Sequence, residues 1–275
     1  MKTSIAKLAV GLTLVSMSSV AMAGIANTKH NLGSTGTHNF SSSTTEICVF
    51  CHTPHGGDTS AAVPLWNRTL ASSSSYTTYA QLGTSTLDSK STTIGSVSLA
   101  CLSCHDGTQA MNVVINSPGS GTSGDVNLDG TNYISKAAGV DCAATDGTCG
   151  GFNEFNYMSQ VTEMIYLGTD LRNDHPISIQ YAGSVGGGTS NDADFHAALD
   201  VTVASGTTVY YIDTDASGTK TKNDLPLYNR MEGSLSGEPL VECATCHDPH
   251  TETTTFLRKV GGNNSSGTCL ACHDK

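Results

Sequence analysis

Residues 48–55 read CVFCHTPH, with two cysteines and two histidines in eight positions. The pattern Cys-x-x-Cys-His returns at Cys101/Cys104/His105, Cys243/Cys246/His247 and Cys269/Cys272/His273. On a turn of helix, residues three and four apart share one face. Both sulfurs can then bond the edge of a porphyrin while the next imidazole reaches its iron. This is the attachment signature of c-type haem. Structural zinc or a redox dithiol would also use paired cysteines. Zinc gives no reason for a histidine directly after the second cysteine in all four copies, and no βαβ pattern surrounds any of them. We therefore expect four covalently attached haem c groups, tethered by Cys48, Cys51, Cys101, Cys104, Cys243, Cys246, Cys269 and Cys272. His52, His105, His247 and His273 are the expected first axial ligands.

His55 stands three residues after His52, across Pro54. A proline pushes its predecessor, Thr53, out of helical geometry, so the motif helix should end near His52. Three residues extend about 10 Å at most, too short to pass round the macrocycle to the other face of the same iron. His55 is expected to ligate a different haem. Residues 243–250, CATCHDPH, repeat the arrangement with Pro249 between His247 and His250. Each stretch is followed by one further motif, which reads as a duplicated two-haem unit. A second repeat, Pro-Leu-aromatic-Asn-Arg, occurs at 64–68 and 226–230 but at different distances from the motifs.

Ten histidines, four of them proximal, leave six: His30, His38, His55, His175, His196 and His250. That supply closes the second axial position of every haem. Within each unit the second histidine of His-x-x-His would serve the second haem, and an upstream histidine, His30 or His175, the first. Pro176 holds His175 extended. His38 and His196 are left as surface histidines. Met111, Met158, Met164 and Met231 read as packing residues rather than ligands.

The chain opens with Lys2 and Lys7, an apolar run from Leu8 to Val20 and Ala21-Met22-Ala23, the layout of a secretory signal peptide over 1–23. The apolar run is short for a membrane span and no other follows, so an exported protein with no membrane span is expected. Cys142 and Cys149 lack a following histidine and, in an exported chain, read as a local disulfide. The formal charge is −11, or −13 without Lys2 and Lys7, and no Lys/Arg cluster offers phosphates a site, so nucleic acid is excluded as a partner.

Charged residues make up only 13% and aromatics 6%, with Ser/Thr/Gly-rich tracts at 71–96 and 119–131. Such a chain has little apolar side chain to offset its ordering entropy. The expected fold is mostly coil wrapped around a haem chain, with short α-helices at the haem motifs and a few short β-strands. VTVASGTTVYYIDT (201–214) reads as a hairpin about Ser205-Gly206, and MNVVIN (111–116) and ISIQYA (177–182) as short extended runs. A helix is possible over 154–167. The organisation read from the motifs is one tetrahaem domain over 24–275: a two-haem unit at about 24–107, a haem-free insertion at about 108–170 and a second unit at about 171–275. The insertion is either ordered or a linker between independent units.

At NTKHNL (27–32), ICVFCHTPH (47–55), NDHPIS (173–178), LPLYN (225–229), CATCHDPH and TCLACHDK (268–275), the chain resembles multihaem cytochromes with doubled Cys-x-x-Cys-His motifs. In motif number and order it is similar to the tetrahaem OmcE-type cytochromes of metal-reducing bacteria. The resemblance implies an extracellular or cell-surface electron carrier rather than an enzyme, polymerised into a conductive filament of bis-histidine haems. It implies copies of the chain itself as partners, with His55 or His30 crossing to the adjacent subunit. Other multihaem cytochromes and extracellular or periplasmic acceptors would complete the circuit. The alternatives are a monomeric periplasmic shuttle and a multihaem reductase. A reductase needs an exchangeable axial position, which the histidine supply argues against.

Overall fold

The computed structural model describes residues 24–36, 44–109 other than 86 and 88, 114–116, 166–183, 192–230, 235–259 and 261–274. The expected signal peptide, His38, Cys142, Cys149, the first half of the run at 111–116 and most of that at 154–167 lie outside the described residues.

Most of the described chain is coil and turn, as expected from so few long apolar periods. The hairpin forms where β-branched and aromatic residues flank Ser205-Gly206. Strands β2 (Leu199–Thr202) and β3 (Thr208–Ile212) pair antiparallel, with Val201 opposite Val209. Strand β4 (Leu225–Leu227) adds to the other side of β3. Pro226 has no amide to donate, and β4 tolerates it because it is the edge strand in the order β2-β3-β4. The ISIQYA run gives β1 (Ile179–Gln180), paired antiparallel with β5 (Leu240–Val241) just before the third motif.

The helices are those of the motifs. α1 (Ser96–His105) carries the second motif on its last turn, and α2 (Cys243–Cys246) is the third. Glu242 caps α2 by taking an amide of its first turn, while Thr245 returns a bond to the Glu242 amide. The first and fourth motifs form tighter 3-10 turns at Cys48–Phe50 and Cys269–Ala271. Among the described residues, no helix is long and apolar enough to cross a membrane.

Two small apolar clusters back these motifs. One packs Tyr181, Ala198, Ile212, Leu225, Leu227 and Val241 against Cys272 of the fourth motif. The other packs Leu99 and Leu102 of α1 on Tyr76, Ile94 and Leu171. Fully burying a leucine such as Leu102 or Leu225 contributes about 2 kcal/mol. The clusters therefore fix the motif backbones rather than form one large core. Leu171 and Ile177 lie on the first unit's helix, so the chain that opens the second unit is packed against the first.

Candidate functional site

The first and third motifs sit in the same backbone frame. Around the first, the Thr53 amide donates to the Leu65 carbonyl (2.9 Å) and the Asn67 amide to the Cys51 carbonyl (2.8 Å). Around the third, Asp248 donates to Phe256 (2.7 Å) and Arg258 to Cys246 (2.9 Å). The side chains follow the frame. Asn67 donates from Nδ2 to the Val49 carbonyl at 2.6 Å, and Arg258 from Nε to the Ala244 carbonyl at 2.8 Å. Each accepting carbonyl belongs to the residue after the first cysteine. The first and third motifs thus share one local backbone frame, in which the structural counterpart of 64–67 is 255–258. The look-alike pentapeptide at 226–230 serves differently, with its Pro-Leu in strand β4.

This frame orients the proximal histidines. Nδ1 of His52 lies 2.8 Å from the Pro64 carbonyl, and Nδ1 of His247 lies 2.8 Å from that of Thr255. A carbonyl only accepts, so each ring carries its proton on Nδ1 and keeps Nε2 bare for a metal. The residue after each carbonyl takes a left-handed backbone, Leu65 at φ 55° and Phe256 at φ 58°. Non-glycine residues rarely do so; the turn aims the carbonyl at the ring. His175 has the same tautomer through the Pro176 carbonyl at 3.0 Å.

Two pairs of histidines stand at a distinctive spacing. The ring centroids of His52 and His250 are 6.2 Å apart, as are those of His30 and His105. Two imidazoles bonded to opposite faces of one iron, each at about 2 Å, place their centroids about 6 Å apart. Rotation about the iron–nitrogen axis leaves that spacing unchanged, so interplanar angles of 18° and 85° both fit. The pairing differs from the sequence expectation, in which His30 would serve the first haem and His250 the fourth. The cause is a long-range docking of the N-terminal segment onto the loop after the third motif. The Gly24 amide donates to the His250 carbonyl at 3.1 Å, Asn27 bonds Glu252 at 2.8 Å, and the His30 ring stacks on Phe256 at 4.2 Å.

Burial pushes the His30 pKa down to about 4, helped by His105, His250 and His247 and opposed by the Pro249 carbonyl. The ring is therefore neutral at physiological pH, the state a ligand requires. Its Nδ1 is buried without a hydrogen-bond partner. His55 and His175 are exposed, and among the described residues no histidine ring is paired with either. His273 packs its ring on Phe195 at 4.3 Å, and His196, read as a surface histidine, is exposed while its backbone bonds Cys272.

The second and third motifs meet where the thiols of Cys101 and Cys243 share a hydrogen bond. Before any haem is attached, burial pushes the Cys51 and Cys272 thiols up to about 12 and the Cys246 thiol up to about 11. None of the eight motif cysteines is in a disulfide. Structural zinc would gather three or four Cys or His atoms on one point. Among the described residues, the group whose ligand atoms all lie within 4.8 Å is instead Asp213, Asp215 and Asp224, away from the motifs. Asp213-x-Asp215-x-Ser217-Gly218, ending on Asp224, has the spacing of a calcium loop, yet the loop's own amides at Thr214, Ser217, Gly218 and Thr221 already use these oxygens. Histidines paired at about 6 Å beside the Cys-x-x-Cys-His turns fit covalent haem, tethered by the motif cysteines and gripped from two sides.

Residues 238–275 match the doubled CXXCH motif family. No curated protein matches the chain. The match covers the last two motifs and supports a multihaem c-type cytochrome.

Proposed function

We propose that the protein carries electrons along four bis-histidine haems and that its subunits join head to tail into an extracellular filament. The observation that carries this reading is the pair of histidine couples at 6.2 Å, one at the first motif and one at the second, beside a Cys101–Cys243 contact between the second and third motifs. Each haem, when bound, supplies a one-electron ferric/ferrous couple. The chain's residues do the rest. The cysteines would tether each macrocycle, the Pro64 and Thr255 carbonyls hold Nδ1 of His52 and His247 and leave Nε2 for the metal, and His250 and His30 would be the second ligands with His52 and His105. Two closed axial positions leave a small substrate nowhere to bind on those irons, which favours a carrier over a reductase.

His55 and His175 are the ligands in reserve for the third and fourth haems. Of the two candidates for crossing to a neighbouring subunit, His30 is held on Phe256 of its own chain, whereas His55 is exposed. His55 is therefore the crossing ligand. A heterologous contact of this kind, which does not close on itself, produces an open filament. The signal peptide directs the chain out of the cytoplasm, to the cell surface or beyond. There copies of itself, other multihaem cytochromes and an extracellular acceptor are its partners.

Intact mass and negative-stain microscopy of the secreted fraction test this. The expected result is a subunit with four haems assembled into filaments that His55→Ala abolishes. Monodisperse single subunits under all conditions contradict the filament and leave a periplasmic shuttle.

A further inference from the structure

Glu242 directly precedes Cys243 of the third motif, and its side chain is 1% exposed. Besides the amide it caps, the carboxylate takes three donors from distant parts of the chain: the hydroxyls of Ser98 (2.5 Å) and Ser178 (3.0 Å) and Nη2 of Arg230 (2.5 Å). Ser98 is fully buried on α1, one turn before Cys101 of the second motif, and its hydroxyl also accepts from the Cys243 amide at 3.0 Å. One serine thus spans the helices of the second and third motifs. Arg230 adds a strap, donating from Nη1 to the Thr93 carbonyl ahead of α1 at 2.5 Å. Ser178 accepts from the amide of Gly95, the N-cap of α1, at 3.0 Å and from Arg230 at 3.1 Å. It does so from a left-handed backbone, φ 56°, that non-glycine residues rarely adopt. A Cβ on Gly95 would meet Nη2 of Arg230 and Oε1 of Glu242 well inside van der Waals contact. Its φ of −74° suits any residue, so the close approach of the ion pair is what demands glycine there.

Resting on the reading of the motifs as haem sites, we infer that this buried cluster is a clasp fixing the haem tethered at 101–105 against the haem tethered at 243–247, with Gly95, Ser98 and Glu242 as its positioning residues. A buried polar network in which every member is satisfied is rigid, because any member that leaves strands the others. The clasp lies at the attachment points themselves, where the thiols of Cys101 and Cys243 share a hydrogen bond. The boundary between the two-haem units is therefore a built joint, and the two halves of the subunit form one electron path. The step it serves is the passage of one electron from a ferrous to a ferric haem, with no bond broken and no proton moved.

Soret circular dichroism of the haem-loaded protein tests the inference, since its exciton couplet reads the mutual orientation of neighbouring haems. Gly95→Ala wedges a methyl between α1 and the ion pair, and Ser98→Ala removes the span between the two helices. Each variant should keep four haems and their low-spin paramagnetic resonance signal, yet lose up to about a third of the couplet, the share of one neighbouring pair in three. An unchanged couplet in either variant overturns the inference even where the melting temperature falls, because a merely structural joint would lose stability alone. If a variant does not accumulate, hydrogen exchange of the wild type decides. The amides of Gly95 and Cys243 are bonded to clasp hydroxyls and should exchange together, within about tenfold of the slowest amides of α1. Exchange of either at the rate of an open loop overturns the clasp. Haem-bearing peptide masses from the wild-type digest separate the two failures: a bare second or third motif contradicts the haem reading, whereas two loaded motifs with an unmoved couplet contradict the clasp.

Discussion

The surroundings of the first motif (48–68) and of the third (243–258) are one backbone frame furnished twice. In both, a return strand meets the motif through two amide bonds, a carbonyl fixes Nδ1 of the proximal histidine, and a side chain reaches the carbonyl after the first cysteine. The return takes twelve residues in the first copy and eight in the third, counted from histidine to carbonyl. The furnishing differs in charge: neutral Asn67 beside Thr53 in one, Arg258 at 3.3 Å from Asp248 in the other. Holding a haem ligand therefore demands backbone geometry. The side chains that supply it are exchangeable, and they are where the two halves acquire different chemistry.

The largest break in this parallel concerns the two second histidines. His250 stands opposite His52, while His55 is exposed. His250→Ala should convert the haem at 48–52 to a high-spin ferric form, about one haem in four, by electron paramagnetic resonance. His55→Ala should leave the spectrum of the dispersed subunit the same as that of the dispersed wild type, because His55 serves a haem only across a subunit boundary.

Next come the equivalent clamps, compared by chemical denaturation. Asn67 is fully buried, and its amide serves Val49 and Asn116 while its oxygen takes the Asn116 amide. Asn67→Ala leaves several buried groups unmet and should cost about 3 kcal/mol. Arg258 has a partly solvated side chain, and Arg258→Ala should cost about 1 kcal/mol, since water replaces part of what is lost.

The docking of His30 on Phe256 sharpens the comparison through pH. Its pKa is depressed from 6.5 to about 4 by burial, so the unfolded chain binds the extra proton first. The contribution is complete above about pH 6.5 and is lost as pH falls through about 4, worth on the order of 3 kcal/mol. Ligation to iron acts in the same direction. Stability measured against pH should show this acid limb in the wild type, and His30→Gln should flatten it.

The smallest effect lies at the left-handed pair. Leu65 is 52% exposed, so Leu65→Gly relieves backbone strain at little cost in contacts and should gain up to about 1 kcal/mol. Phe256→Gly relieves the same strain but strips the stack on His30 and should lose about 1 kcal/mol in net, both read as shifts in melting temperature.

Much of this was legible beforehand. The four motifs, the two His-x-x-His runs and the hairpin at 199–212 follow from spacing and residue type, because each is local. The partners of His52 and His105 were not, since they depend on residues 24–30 meeting 248–256, a contact with no periodic trace. The return strand at 255–258 was equally hidden. Its ladder uses amides and carbonyls that every residue carries, and its one side-chain requirement, a donor, is met by Asn67 in one copy and Arg258 in the other. The repeat visible at 226–230 lies instead in and after strand β4.

A side-chain-resolution map of the haem-loaded protein tests the central claim most directly, through the identity of the two ligands on each iron. The account predicts an iron between His52 and His250 and another between His105 and His30, with the four haems following one another in motif order. Iron at the first or second motif bound by any other histidine, or a haem order that departs from the order of the motifs, would contradict it.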